Sequence, residues 1–193
     1  VMDRDMRAIA EKGFINYLNE VEASALSDNF WQITLPQNLE TSSVNSPAFN
    51  TFIAAQINLN CNSMLMNGTK VADLVTISGD VHHIFPRAYL KKTGVDNKTK
   101  YNQVANYIYL DTQVNKAISD DAPCIYFQKA KAQCETKQIS LGNISDEELL
   151  KNNLDENCIP ANIFNWNVSD YDEFLQERRK MMAALIEKYY KGL

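Results

Sequence analysis

The constraint that bears hardest on this chain is a change of hydrophobic period in its middle. Before about residue 77 and after about residue 123, apolar side chains recur at helical spacing. Between them, Tyr107-Ile108-Tyr109-Leu110 has the aromatic and branched composition of a strand. A second β-like run covers residues 77–84, broken by Ser78-Gly79-Asp80. Two short strands are not stable alone in water, so helices must cover them. The pattern predicts an α+β fold, mainly helical. It is one domain over residues 1–193, with a hairpin-and-helix insert at about 77–123 between helical surroundings 1–76 and 124–193.

Residues 4–25 read as one helix, with Met6, Ile9, Ala10, Phe14, Ile15 and Leu18 at helical spacing. The polar stretch 35–47, with a proline near each end, reads as a loop. Ser46-Pro47 starts a second helix, the proline lying in its first turn. Asn67-Gly68 marks a turn, and a short helical piece follows near Val71–Val75. Arg87–Lys92 reads as one helical turn and Thr93–Lys100 as a loop. Asp111-Thr112 caps a short helix over 112–118, and Pro123 opens another that runs to about Cys134. Ser145-Asp146-Glu147-Glu148 is a helix start. Residues 169–190 carry the strongest helical pattern, with Phe174, Leu175, Met181, Met182, Leu185 and Ile186 near one face.

The chain has 193 residues, 45% apolar and 22% charged, a balance that excludes a disordered or fibrous protein. No apolar run approaches the roughly 20 residues needed to span a bilayer, and no basic-then-apolar leader opens the chain. Cys61, Cys124, Cys134 and Cys158 form no CxxC pair, so free thiols in a reducing cytoplasm are expected. The chain opens Val-Met-Asp-Arg directly into a helix, which suggests the C-terminal part of a longer protein.

The net charge of −5 argues against a nucleic-acid partner until its distribution is considered. Residues 81–118 carry +4, and the remainder −9. A basic segment within an acidic chain can form a local phosphate site without making the whole surface adhesive. It can equally be a solvated loop.

Only two histidines are present, and they adjoin: His82-His83, within Gly-Asp-Val-His-His-Ile-Phe-Pro at 79–86. Asn106 opens the Tyr-rich strand, and Asn115-Lys116 follows on the short helix. Hydrolysis of a phosphodiester requires a base for the attacking water and a cation for the charge gathering on the phosphoryl and leaving oxygens. Neutral histidine suits the first task at neutral pH. A divalent ion can be held by one or two protein ligands, with water and phosphate oxygens completing its shell. His83 as base, with His82 and the Asn115 amide oxygen as ligands, makes a complete set. Adjacent residues on a regular strand point to opposite faces. The two rings can therefore serve one site only through strand distortion, which Gly79 and Pro86 permit, or from different sides of the scissile phosphate.

These residues resemble the HNH, or His-Me finger, nucleases, whose core is a ββα-metal hairpin and helix. They are more similar still to the HNH domain at the C-terminal end of GmrSD-type restriction proteins. The resemblance is carried by Asp80 to Arg87, by Asn106-Tyr-Ile-Tyr-Leu-Asp and by Asn115 to Pro123. It extends more weakly to Tyr171-Asp-Glu-Phe-Leu-Gln-Glu-Arg-Arg. It implies His83 as general base, His82 and Asn115 as metal ligands, and Asn106 as the residue that braces the loop between the strands. Arg87 and Lys116 become phosphate contacts. One divalent ion is implied, Mg2+ or Mn2+. Because His82 stands where a carboxylate is common, Mn2+, Ni2+ or Zn2+ gain relative to Mg2+. The resemblance also implies DNA as substrate, a restriction or phage-defence setting, and an N-terminal nucleotide-hydrolysing domain. No Gly-rich phosphate loop occurs in this chain.

Two other functions fit the same residues. A catalytically degenerate HNH scaffold would bind nucleic acid or a partner without cutting. A purely structural helical domain would carry its histidine pair by accident.

Overall fold

The computed structural model describes residues 2–77 and 81–193. The chain is mainly helical, with a single two-stranded sheet among the described residues. In order, the helices are α1 (Met2–Lys12), α2 (Phe14–Ala25), α3 (Leu35–Asn38), α4 (Pro47–Asn58) and α5 (Val71–Ile77). Strand β1 (His82–His83) follows, then α6 (Arg87–Lys92), α7 (Lys98–Tyr101), β2 (Tyr107–Ile108) and α8 (Thr112–Ile118). Helices α9 (Pro123–Thr136), α10 (Glu147–Glu156) and α11 (Tyr171–Lys191) complete the chain. None of the described helices is long and apolar enough to cross a membrane.

Helix starts follow local chemistry. The Ser46 side chain accepts from the Phe49 amide with Pro47 in the first turn of α4. Asp146 accepts from Leu149 at the start of α10. In each case a side-chain oxygen satisfies an amide that has no partner inside the helix. Helix α11 buries Phe174, Leu175, Arg178, Met182 and Ile186, one stripe at helical spacing, and packs along α4, α3 and the turn before β2. Phe85 lies between this helix and the sheet, its ring centroid 4.7 Å from that of Phe174 and 5.1 Å from that of Tyr171.

Several elements depart from the sequence expectations. The single helix expected over 4–25 is two, because Gly13 adopts φ 81°, a region closed to most side chains, and turns the chain back on itself. The apolar stripe of this hairpin does not enter the core: Phe14 and Ile15 remain 58% and 64% exposed, and neither helix has a buried residue. The loop expected over 35–47 begins as helix, since a π-helical turn at Phe30–Thr34 continues into α3 with Pro36 in its first turn. Lys98–Tyr101 is one helical turn rather than loop, its start held by the Asn97 side chain. The β-like run over 77–84 reduces to His82–His83: Ile77 ends α5, and Ser78, Gly79 and Asp80 lie outside the described residues. The second strand stops at Ile108, and Asn106 ends a 3-10 turn instead of opening the strand.

So short a sheet leaves much buried backbone outside any ladder, and those groups need partners from side chains. Arg178, fully buried on α11, donates from Nη1 to the carbonyls of Ala105 and Tyr107, both at 2.8 Å, and from Nη2 to that of Asn157 at 3.3 Å. Burial lowers its pKa to about 10, so it is charged at neutral pH. Asn153 acts similarly on residues 63–66, accepting from Leu65 and donating to Ser63 and Met66. Arg178→Ala strands three buried carbonyls and opens a cavity. Chemical denaturation should show a loss on the order of 3 kcal/mol, with Arg178→Lys intermediate. Near-normal stability of the alanine variant would show that water or a shifted side chain replaces the guanidinium.

Candidate functional site

Strands β1 and β2 are antiparallel, with His82 opposite Ile108 and His83 opposite Tyr107. Both histidines are half-buried. The exit of β1 is fixed from three directions. The Ile84 amide donates to the Asn106 carbonyl at 2.9 Å, and the Ile84 carbonyl accepts from the Tyr126 hydroxyl of α9 at 2.7 Å. Asn106, fully buried, accepts from the Phe85 amide at 2.8 Å and donates to the carbonyls of Phe85 and Tyr101 at 3.1 and 3.2 Å. Both ends of the segment joining the strands are thereby tied to one amide side chain.

His83 meets two side chains. Its Nε2 lies 3.0 Å from Oδ1 of Asn102, and its ring stands edge-on to Tyr107 at 5.2 Å and 89°. Burial pushes the imidazole pKa below its usual value. The hydrogen bond to Asn102 opposes that shift, and the charges of Arg87 and His82 add to it. Burial therefore favours the uncharged ring. Asn102 attracts no notice in the sequence: it lies outside the histidine and asparagine motifs.

Residue 108 leads through Asp111 into α8. The Asp111 carboxylate accepts from the amides of Gln113 and Val114, while Val114 and Ile118 anchor the helix in the core. Asn115, half-buried, sits beside Val114 at the edge of that buried face. Hydrogen bonds and a ring contact thus join His83 to Asn102 and Tyr107, and Asn106 to Phe85 and Tyr101. Among the described residues no hydrogen bond joins Asn115 to His83. Arg87, in the first turn of α6, and Lys116, on α8, are both exposed. Arg87 is near enough for its charge to bear on His83.

Among the described residues no group of three or more His, Cys, Asp or Glu side chains is placed to hold a metal ion. Asp80 lies outside them. All four cysteines are free, and burial pushes the thiols of Cys61 and Cys158 up to about 11 and 12. A cavity of about 690 Å³ among α9, α10 and α11, walled by Leu150, Leu154, Ile159, Phe164 and Met181, contains neither histidine.

Compared with protein-family models, curated protein sequences and solved structures, the chain gives no match.

Two outcomes follow from this geometry. Asn106→Ala should cost about 2–4 kcal/mol through the groups it leaves unpaired. Asn106→Asp should be no better at pH 7, because two carbonyls would face an acceptor; its retention of wild-type melting temperature would refute the clamp. Because the folded His83 has the lower pKa, the unfolded chain binds more protons as pH falls below about 6.5, and stability falls with it. In denaturation between pH 7 and 5.5, His83→Gln should show a flatter decline, the difference being at most about 1.4 kcal/mol per pH unit.

Proposed function

We propose that this chain is a metal-dependent DNA endonuclease or nickase of the HNH type, acting in restriction or phage defence. The observation that carries the reading is a half-buried His83 on a strand whose partner strand leads directly into the capped helix bearing Asn115. This strand–strand–helix order supports a ββα-metal site. The basic segment 81–118 supplies cations around it, with exposed Arg87 and Lys116 available to phosphate oxygens.

Alternation along the paired strand turns the two imidazoles to opposite faces. In-line displacement at phosphorus places the attacking and leaving oxygens on opposite sides, so a base and a charge-neutralising ligand set are needed from different directions. His82 and Asn115 would hold the divalent ion. They offer one imidazole nitrogen and one amide oxygen, both uncharged donors. That set suits a weakly held ion completed by water and substrate, Mn2+, Ni2+ or Zn2+ being favoured over Mg2+. Such an ion would neutralise charge on the phosphoryl and leaving oxygens. His83 takes the proton from water as the water oxygen bonds to phosphorus. A nucleotide-hydrolysing domain N-terminal to this chain belongs to the same proposal.

The scaffold alternative draws support from the sparse ligand set among the described residues. Supercoiled-plasmid cleavage in Mg2+ and in Mn2+ separates the two. His83→Ala should reduce the rate by about 10²–10⁴-fold, the usual contribution of a general base, with helical content retained by circular dichroism. Cleavage at the wild-type rate by that variant removes His83 from the chemistry. Mn2+ bound without any cleavage favours the scaffold.

A further inference from the structure

We infer that Asn102 is the positioning residue of His83: its side-chain oxygen selects the imidazole tautomer that leaves Nδ1 as the basic atom. The inference rests on the nuclease reading for its catalytic consequence, but the contact itself stands on geometry.

An amide oxygen can only accept a hydrogen bond. With Oδ1 of Asn102 at 3.0 Å from Nε2 of His83, the hydrogen must lie on Nε2. In a neutral ring the lone pair is then on Nδ1. The perpendicular Tyr107 ring restrains the imidazole from a second element, so both tautomer and orientation are set before substrate arrives.

Asn102 is itself held. Its amide donates to the Lys98 carbonyl at 3.1 Å, closing the single turn of α7. The carbonyl just before it, that of Tyr101, receives Nδ2 of Asn106 at 3.2 Å and the Tyr171 hydroxyl at 3.3 Å. Asn106 also binds both backbone polar groups of Phe85, two residues beyond His83. One buried side chain therefore fixes the backbone on both sides of the His83–Asn102 contact. This is tighter than a chance surface hydrogen bond, in which both partners would be free to turn away.

In the reaction, one water proton passes to Nδ1, the water oxygen forms the new bond to phosphorus, and the leaving oxygen departs with the electron pair of the broken P–O bond. His83 becomes an imidazolium whose Nε2–H bond to Asn102 is now charge-assisted and stronger. The amide thus stabilises the ring more after proton transfer than before, which is what a catalytic contribution requires.

The test is ¹⁵N NMR of the full chain with labelled histidine above pH 7.5, where long-range ¹H–¹⁵N correlations report which ring nitrogen carries hydrogen. With only two histidines, His82→Gln assigns the spectrum. His83 in the wild type should be the Nε2–H tautomer. Asn102→Ala should populate both tautomers and lower kcat for plasmid cleavage about 10- to 100-fold, the typical effect of losing a histidine's outer partner, with KM little changed. Asn102→Asp, which restores an acceptor, should restore the single tautomer and part of kcat. A wild-type spectrum with hydrogen on Nδ1 overturns the inference even if no variant folds. So does an alanine variant that keeps one tautomer, or an aspartate variant no better than alanine. If the wild type shows the Nε2–H tautomer but cuts no DNA under any metal, the nuclease reading fails while the Asn102 contact stands.

Discussion

Everything around the histidine pair depends on satisfying buried backbone that no ladder reaches. The sheet contributes two residue pairs, so the carbonyls at 101, 105 and 107 lie among apolar side chains with few partners of their own kind. Arg178, Asn106 and Tyr171 supply the missing donors. An unpaired buried carbonyl costs about 1–3 kcal/mol, a large share of the stability of a domain this size. The three side chains are therefore structural necessities first. Their placement of His83 is a consequence of where the carbonyls happen to be.

Much of the frame was legible from sequence because it is written in local chemistry. The Ser46, Asp111 and Asp146 caps, the prolines at 47 and 123 and the long stripe of α11 act within a few residues of themselves, and pattern reading finds them. Three features were hidden for a different reason. Gly13 splits the first helix through backbone conformation, while its flanking residues keep a helical pattern. Leu35-Pro36-Gln37-Asn38 looks like loop, yet the preceding π turn carries the chain into it. Arg178 adjoins Arg179 in Gln-Glu-Arg-Arg with nothing local to tell them apart, and only tertiary packing buries it fully.

The candidate site divides along the same line. His82, His83, Asn106 and Asn115 stand out by type and spacing. Asn102 does not, because its partner is 19 residues away and its significance is one distance. The strands were overestimated in length since aromatic and branched composition marks a buried pleated surface, and here helices and turns bury most of it. Charge behaves consistently at both scales. The chain is acidic overall, while the segment around His83 is basic. Positive charge from Arg87 helps burial keep that ring neutral.

The guanidinium tie has a consequence in time. Arg178 follows the residues whose carbonyls it holds, Ala105 and Tyr107, by 73 and 71 residues. During synthesis, at about 5–20 residues per second, β2 emerges seconds before the donor that completes it. The histidine pair would thus reach its final setting only after α11 had left the ribosome. A nascent fragment ending before α11 would carry the motif without the framework that aims it.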